Sequence, residues 1–396
     1  MADVISPEET SPPVAETYAS GNPWVNRSLG IMDTFLAWVS ADTRALSPFA
    51  APSRILIANT GHLGDAILAT SVLPVLRSAF PNCHIGFLIG SWSRPALLNH
   101  ALVDEIHVFD HWRLNRGSNR WWEKLQRHEA TRRQALDEIQ RRRYDVAIDL
   151  RPYFGNAVPL LRQADIPVRV GYPSGGFGPL LTHPVAWRRR AWHMVDYHRA
   201  LLRLLPLEAE HLARLQPSLR YRDQEAVSSP LMEGSTPYVV LHMGSGAACK
   251  EWPAPQWRAL AERLEAAGHA VVFTGAGAAE AERCEEVAAG LAHATNLCSR
   301  LTWPELVTVV RRARLLVAVD SMAGHLAAAL DTPCVVISNG INPPALWQPR
   351  TKACRVLLHP VPCAPCFKPH GCATMACVRQ IRVDQVWTAI KELLLA

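Results

Sequence analysis

The chain has 396 residues, 49% of them apolar and 19% charged, with a formal net charge of +6. That length is beyond what a single hydrophobic core usually organises, and it predicts two domains of about 150 to 200 residues each. No apolar run reaches the roughly 18 to 20 residues that a membrane-spanning helix needs, and the opening segment MADVISPEETSPPVAE is acidic and polar where a signal peptide would be basic and then apolar.

The expected location is therefore the cytoplasm, with reduced thiols or a metal, rather than a disulfide framework, for the ten cysteines. Residues 1–22, rich in Pro, Ser, Glu and Gly, read as a disordered tail. An N-terminal amphipathic helix follows over 23–50, because Trp24, Val25, Leu29, Met32, Phe35, Leu36 and Val39 recur at helical spacing. Docking on the body is the first reading of that helix; lying on a membrane surface beside Arg27 and Arg44 is the alternative.

From Arg54 onward, short β-branched runs alternate with longer helical patterns. RILIAN, HIGFLIG, EIHVFD and YDVAIDL read as buried strands, with helices over about 66–79, 121–142 and 192–205. Residues 207–236 are charged and turn-rich and read as a linker. Beyond them YVVLHMG, AVVFTGAG, LLVAVD and CVVISNG read as strands, with helices near 255–267, 278–291, 303–312 and 322–330. Such alternation implies an α/β fold: one doubly wound domain over 51–215 and a second over 237–396. Ligands of open α/β sheets bind at the carboxyl ends of the strands, so function is expected in the loops that follow strands. Basic runs at 127–133, 141–145 and 187–193 suit an anionic partner or are solvated helix faces. No nucleic-acid motif accompanies them, and nucleic acid is not expected as a partner.

The richest loops are in the second half. After YVVLH, Gly244, Ser245 and Gly246 let backbone N–H groups approach an anion, and Lys250 adds a point charge. After AVVFT, Gly275 opens a turn and Glu280 stands in the first turns of a helix, either to accept from ribose hydroxyls or to compensate the helix terminus. After LLVAV, Asp320 and Ser321 can cap the next helix, and His325 lies about a turn further in, as a ligand or as a packed core histidine. Three strand ends that converge describe a nucleotide-diphosphate site better than any one does. Trp347, in the loop ISNGINPPALWQPR, can cover a base or sugar or belong to the core.

In the first half, the stretch Asn59-Thr60-Gly61-His62-Leu63-Gly64-Asp65-Ala66 sets a glycine turn between strand and helix, with an acid where a phosphate would be repelled. A helix N-terminus favours that negative charge. Asp65 is then a plain N-cap or a general base. Near the C-terminus Cys363, Cys366, Cys372 and Cys377 form a C-x2-C-x5-C-x4-C pattern over 363–377: either a structural zinc or iron site or a set of reduced thiols in a loop.

These segments carry a resemblance. RILIANTGHLGDAILATSVLPVLRSAFP, YDVAIDLR, RVGYPS, HMGSGAACKEWPAPQWRALAERL, VVFTGAGAAEAER, VAVDSMAGHLAAALDTPCVVI and PPALWQP, in that order over about 54–350, resemble glycosyltransferase family 9, the ADP-heptose:lipopolysaccharide heptosyltransferases. The resemblance implies a GT-B architecture with acceptor-side and donor-binding Rossmann-like domains, and inverting transfer of heptose from ADP-heptose to a lipopolysaccharide core acceptor. It implies Asp65 as the base with Gly61 and Gly64 clearing room for the acceptor sugar, Lys250 on the donor diphosphate with Ser245 and Gly246 beside it, Glu280 near the ribose, and Asp320, Ser321 and His325 lining the donor pocket. It implies no catalytic metal, in keeping with the lack of an Asp-x-Asp between strand and helix, and it leaves room for peripheral contact with the inner membrane. Some autotransporter-modifying members also carry a four-cysteine metal loop, but the N-terminal region here does not resemble theirs. One departure stands out: Met322 follows Asp320-Ser321 where the family commonly has glycine, and the glycine is displaced to Gly324. Two alternatives stay open, a same-fold transferase acting on protein or another glycan, and a non-catalytic nucleotide-sugar binding protein.

Overall fold

Apolar runs too short to make helices pair side by side into two six-stranded sheets whose registered strand pairs are all parallel. The computed structural model describes residues 18–19, 22–39, 51–117, 120–188, 192–222, 237–368 and 370–395. The first sheet comprises β1 (Arg54–Asn59), β2 (His84–Ile89), β3 (Glu105–Val108), β4 (Val146–Asp149), β5 (Val168–Gly171) and β6 (His183–Pro184). The second comprises β7 (Tyr238–His242), β8 (Ala270–Thr274), β9 (Ala294–Asn296), β10 (Leu315–Val319), β11 (Cys334–Ile337) and β12 (Cys354–Leu357).

The spatial orders are β3-β2-β1-β4-β5-β6 and β12-β11-β10-β7-β8-β9. Read from its own first strand, each sheet has the 3-2-1-4-5-6 order of a dinucleotide-binding fold, so each has one switch point, between β1 and β4 and between β7 and β10. The central strands are buried on both faces, as Ile55, Leu56 and Ile57 or Leu315 to Val319 show, and helices cover both sides. β5, β6, β9 and β12 were not expected as strands. Each has two to four residues, and β9 and β12 are mostly half-buried, so neighbouring strands rather than an apolar run define them.

Three further expectations need adjustment. The helix expected over 66–79 is two helices, Leu63–Ala69 and Val72–Ala79. Pro74 has no N–H to give the carbonyl of Thr70, and the Thr70 hydroxyl turns back onto the carbonyl of Ile67 at 2.6 Å, so the helix breaks there. The supposed linker is packed as far as it is described: Leu215 and Leu219 are buried, and Tyr221 bridges His100. Residues 223–236 lie outside the described residues. The N-terminal helix spans Pro23–Val39, and its apolar residues do not share one face: Leu29 is buried, whereas Trp24, Phe35 and Val39 are exposed. Most of the proposed tail, Arg44, Arg189 and Arg190 also lie outside the described residues. The basic runs that are described are largely paired within the domain, Arg127 with Asp110, Arg132 and Arg133 with Glu129, Arg141 with Asp137 and Arg142 with Glu105.

Burial disfavours the charged form of six buried histidines, His100 and His193 among them. Burial lowers His111 and His198 to about 3, and His242 and His325 to about 4. Unfolded histidine takes a proton near about 6.5, so below that pH the unfolded chain binds protons that the folded chain does not, and stability falls as pH falls. Asp149 acts in the opposite sense, because burial raises it to about 6 and the folded protein takes up its proton first. The six histidines outnumber the carboxylates that burial raises, Asp149 together with Asp33 and Glu280, so acidification from about pH 7 to about pH 5 should cost several kcal/mol of stability, read as a fall in the urea midpoint; an unchanged midpoint would contradict the buried neutral histidines.

Candidate active site

At the first switch point, β1 ends in a turn tied down on every side. Asn59 Oδ1 accepts the Gly61 N–H at 2.9 Å, the Thr60 hydroxyl donates to the Gly155 carbonyl, and the Trp92 indole donates to the Gly61 carbonyl at 2.8 Å. The helix Leu63–Ala69 starts after His62, and Asp65 Oδ2 accepts the His62 N–H at 2.7 Å. The carboxylate does cap its helix, and it also lines a cavity. Gly61 is needed for this, since a Cβ there would collide with the Asp65 carboxylate. At Gly64 a Cβ would meet His325 Cδ2 at 3.1 Å and Met322 Cα at 3.7 Å. The space beside both glycines is thus taken by protein atoms, whereas room for a sugar was expected there. Arg151, in the loop after β4, has its charge disfavoured by burial and supported by Asp65 and Asp149.

Around the second switch point, Ser245 donates its hydroxyl to the Ala247 carbonyl at 2.7 Å and accepts the Ala247 N–H at 3.2 Å, which fixes the loop after β7. Lys250 ends that loop with Nζ 2.8 Å from Asp320 Oδ2, and Asn339 Nδ2 donates to the same oxygen at 3.0 Å. Glu280, the third residue of helix Ala278–Ala288, folds back over the loops after β7 and β8; a Cβ at Gly244 or Gly275 would run into its carboxylate. Its Oε2 accepts the Ala276 N–H at 2.9 Å, and burial raises its pKa. Three buried polar atoms here, Glu280 Oε1, Ser321 Oγ and His325 Nδ1, have no hydrogen-bond partner. Orphaned buried polar atoms are costly, and three on one wall fit a polar ligand with several hydroxyls or phosphate oxygens.

The two sets of loops line one cavity of about 770 Å³, within the range typical of small-molecule sites. Gly64, Asp65, Ser245, Gly246, Lys250, Gly275, Glu280, Asp320, Ser321 and His325 all line it, and Gly61 lies directly behind Asp65. Sequence reasoning missed His62, Trp92, Arg116, His242 and Trp303, which line it too. His62 Nε2 donates to the Leu114 carbonyl, 3.1 Å away, and burial lowers its pKa. Arg116 reaches from the loop after β3 onto Gly246, where a Cβ would strike its guanidinium. The usable signal was positional, since Trp92 and Arg116 sit in loops after β2 and β3. Trp347 lines the cavity and also packs on the first core, its ring 6.4 Å from that of Tyr153. Met322 packs in the cluster shared by both halves, together with Leu63 and Ile67.

The four C-terminal cysteines differ in burial. Cys377 is drawn into the core of the second sheet on helix Ala376–Arg379, while Cys363 and Cys372 are exposed. Among the described residues, no group of three or more His, Cys, Asp or Glu is arranged to hold a metal ion. The spacing suggested a tetrahedral site; the burial of Cys377 beside exposed Cys363 and Cys372 does not supply that arrangement.

The sequence profile of glycosyltransferase family 9 (heptosyltransferase) matches residues 132–374. Lipopolysaccharide heptosyltransferase 1 of Pseudomonas aeruginosa is 32% identical over 80% of this chain and 86% of its own length. Lipopolysaccharide heptosyltransferase 2 of Salmonella typhimurium is 25% identical over 77% of this chain and 87% of its own. Among solved structures, E. coli heptosyltransferase WaaC with ADP aligns with a TM-score of 0.69 at 21% identity, covering 86% of this chain and 99% of that one. A family 9 glycosyltransferase from Veillonella parvula aligns with a TM-score of 0.69 at 22% identity, covering 87% of this chain and 97% of that one. The sequence matches reach well beyond half of the chain, and the structures share its fold: this chain belongs to glycosyltransferase family 9.

Proposed function

We propose that this protein is an inverting glycosyltransferase of GT-B architecture that moves heptose from ADP-heptose onto a lipopolysaccharide core acceptor at the cytoplasmic face of the inner membrane. One observation carries the reading: a single cavity has a carboxylate at a helix N-terminus on one wall, and a Gly/Ser/Lys loop, a folded-back Glu and an Asp-Ser-His strand end on the other. The names of the relatives supply the sugar, the nucleotide and the acceptor class. In this reading residues 51–215 form the acceptor-side domain and 237–396 the donor-binding domain.

The reaction makes one bond and breaks one. The acceptor hydroxyl attacks the anomeric carbon from the face opposite the diphosphate, the bond from that carbon to the phosphate oxygen breaks, and ADP leaves. Asp65 takes the hydroxyl proton as the new bond forms. Its lone pairs are available because only one of its oxygens is committed to the His62 N–H. Lys250 and the N–H groups of the loop after β7 meet the charge growing on the diphosphate. Lys250 is poised for this by Asp320, and the arriving phosphates compete with that carboxylate for the ammonium while Asn339 remains on Asp320. Glu280, Ser321 and His325 supply the unpartnered polar atoms for donor hydroxyls and phosphate oxygens. The positive groups are all on the chain, so the reading calls for no catalytic metal. Arg116 lines the cavity as a positive group suited to an anionic core sugar or phosphate, and the charge of Arg151 acts on Asp65 from behind the lining. A protein or another glycan as acceptor would use the same chemistry. The idle-binder alternative rested on Met322, whose side chain has a packing role that accounts for it.

Two substitutions test the roles. Asp65→Asn should keep the cap to the His62 N–H and lower kcat by about 10²- to 10⁴-fold with donor affinity little changed, read as ADP release with a defined acceptor; a wild-type rate would remove the base assignment. Lys250→Ala should lower kcat/KM by about 10²- to 10³-fold and weaken ADP binding. If it leaves both unchanged, the diphosphate sits elsewhere.

A further inference from the structure

The helix Pro23–Val39 is apolar on two opposite faces. Its inner face is occupied: Leu29 packs on Gly176, Leu36 joins the cluster of Val158, Leu180 and Leu181, and Asp33 Oδ1 accepts the Phe177 N–H at 2.7 Å. Trp24, Ile31, Phe35 and Trp38 recur at spacings of seven, four and three, which places them on the other face, where they are 74%, 67%, 59% and 81% exposed. The rings of Phe35 and Trp38 lie 6.4 Å apart, and exposed Arg27 flanks the stripe. Over these positions the stripe runs about 21 Å. A helix already held by one apolar stripe gains nothing in water from a second.

The neighbouring surface has the same composition. Trp112, Trp121 and Trp122 are 39%, 69% and 42% exposed. Arg113 lies over the ring of Phe154 at 5.7 Å, Arg120 lies over that of Trp122 at 5.2 Å, and Phe154 stacks on Phe177 at 6.5 Å, beneath the N-terminal helix. Glu123 is the acid here, and it is turned to the Arg120 N–H at 3.1 Å. Both patches stand at the strand-end edge of the first sheet: the N-terminal helix rests on segments that follow β4 and β5, and Trp112 and Trp121 follow β3. That is also the edge that carries Asp65.

We infer that this edge docks on an anionic lipid bilayer, with Trp24, Ile31, Phe35 and Trp38 at the depth of the headgroups and Arg27, Arg113 and Arg120 against lipid phosphates. Tryptophan favours the membrane interface, amphipathic helices bind there through apolar area plus basic charge, and each arginine near an anionic leaflet contributes about 1 kcal/mol. The inference deepens the proposed reading, since a lipid-linked acceptor would arrive on the side of the carboxylate, and it rests on that reading only for the identity of the acceptor.

Vesicle flotation of the purified full chain tests it. The protein should float with phosphatidylethanolamine vesicles containing phosphatidylglycerol, float less as salt is raised, and float poorly with phosphatidylcholine. The triple variant Trp24→Ser, Phe35→Ser, Trp38→Ser should bind anionic vesicles at least about tenfold more weakly, and Arg27→Glu, which leaves the apolar stripe intact, severalfold more weakly. ADP release with a lipid-free acceptor should match wild type in both variants. Absence of release in all three proteins would count against the sugar-transfer reading alone. Wild-type protein that does not float, variants that float like wild type, or a solution dimer dissolved by the triple variant would overturn the docking surface.

Discussion

The contact of Gly64 with His325 and Met322 sets the geometry of the rest. Each half is a Rossmann-ordered sheet with its ligand edge at one switch point, and neither edge alone encloses a site. Helices Leu63–Ala69 and Met322–Ala329 begin at those two switch points and pack N-terminus against N-terminus, close enough that residue 64 has no room for a side chain without movement of the histidine. The distance between the acid of one half and the glycine loops of the other follows from that absence. The contact is braced at a distance by the Trp303 indole on the Tyr221 hydroxyl at 2.8 Å, by His193 on the Gln348 carbonyl at 2.7 Å, and by Arg350 on Asp196 at 2.9 Å.

Inside the cavity, charge is arranged so that little of it is free. Lys250 is neutralised by Asp320, burial keeps His242 and His325 uncharged, and Glu280 is folded against backbone with its proton affinity raised. On the wall formed by the second half, what remains unpaired is Glu280 Oε1, Ser321 Oγ and His325 Nδ1, which cost less to hold in a closed space than an isolated ion would. A diphosphate entering such a site finds a cation it can take over from an existing partner and dipoles already aimed, with little reorganisation left for the moment of reaction.

The sequence exposed most of this arrangement for a physical reason: strands buried on both faces must be apolar throughout, so β1, β2, β7, β8, β10 and β11 stand out, and the loops after them carry glycines wherever a carboxylate lies against backbone. Glu280 illustrates the point, because Gly244, expected to let backbone approach a bound anion, and Gly275, expected to open a turn, both admit this carboxylate. The rest depended on three-dimensional neighbours. Trp92 and Arg116 reach the cavity from loops with no pattern of their own, edge strands such as β9 take their conformation from a partner, and cysteine spacing says nothing about the core that claims Cys377. The seven apolar residues of the N-terminal helix fitted a helical period, yet a period alone does not say that a helix has one covered face.

The break between Thr70 and Val72 has a mechanical meaning. Cut off from the helix that follows, the seven-residue segment bearing Asp65 is anchored at its far end by the Thr70 hydroxyl, which accepts the Ser218 N–H at 3.0 Å. Ser218 belongs to the chain leaving the first half for the second. The carboxylate therefore stands on a short lever whose fulcrum is the joint between the halves, and lengthening or shortening that connector would be felt at Asp65 before it disturbed either core.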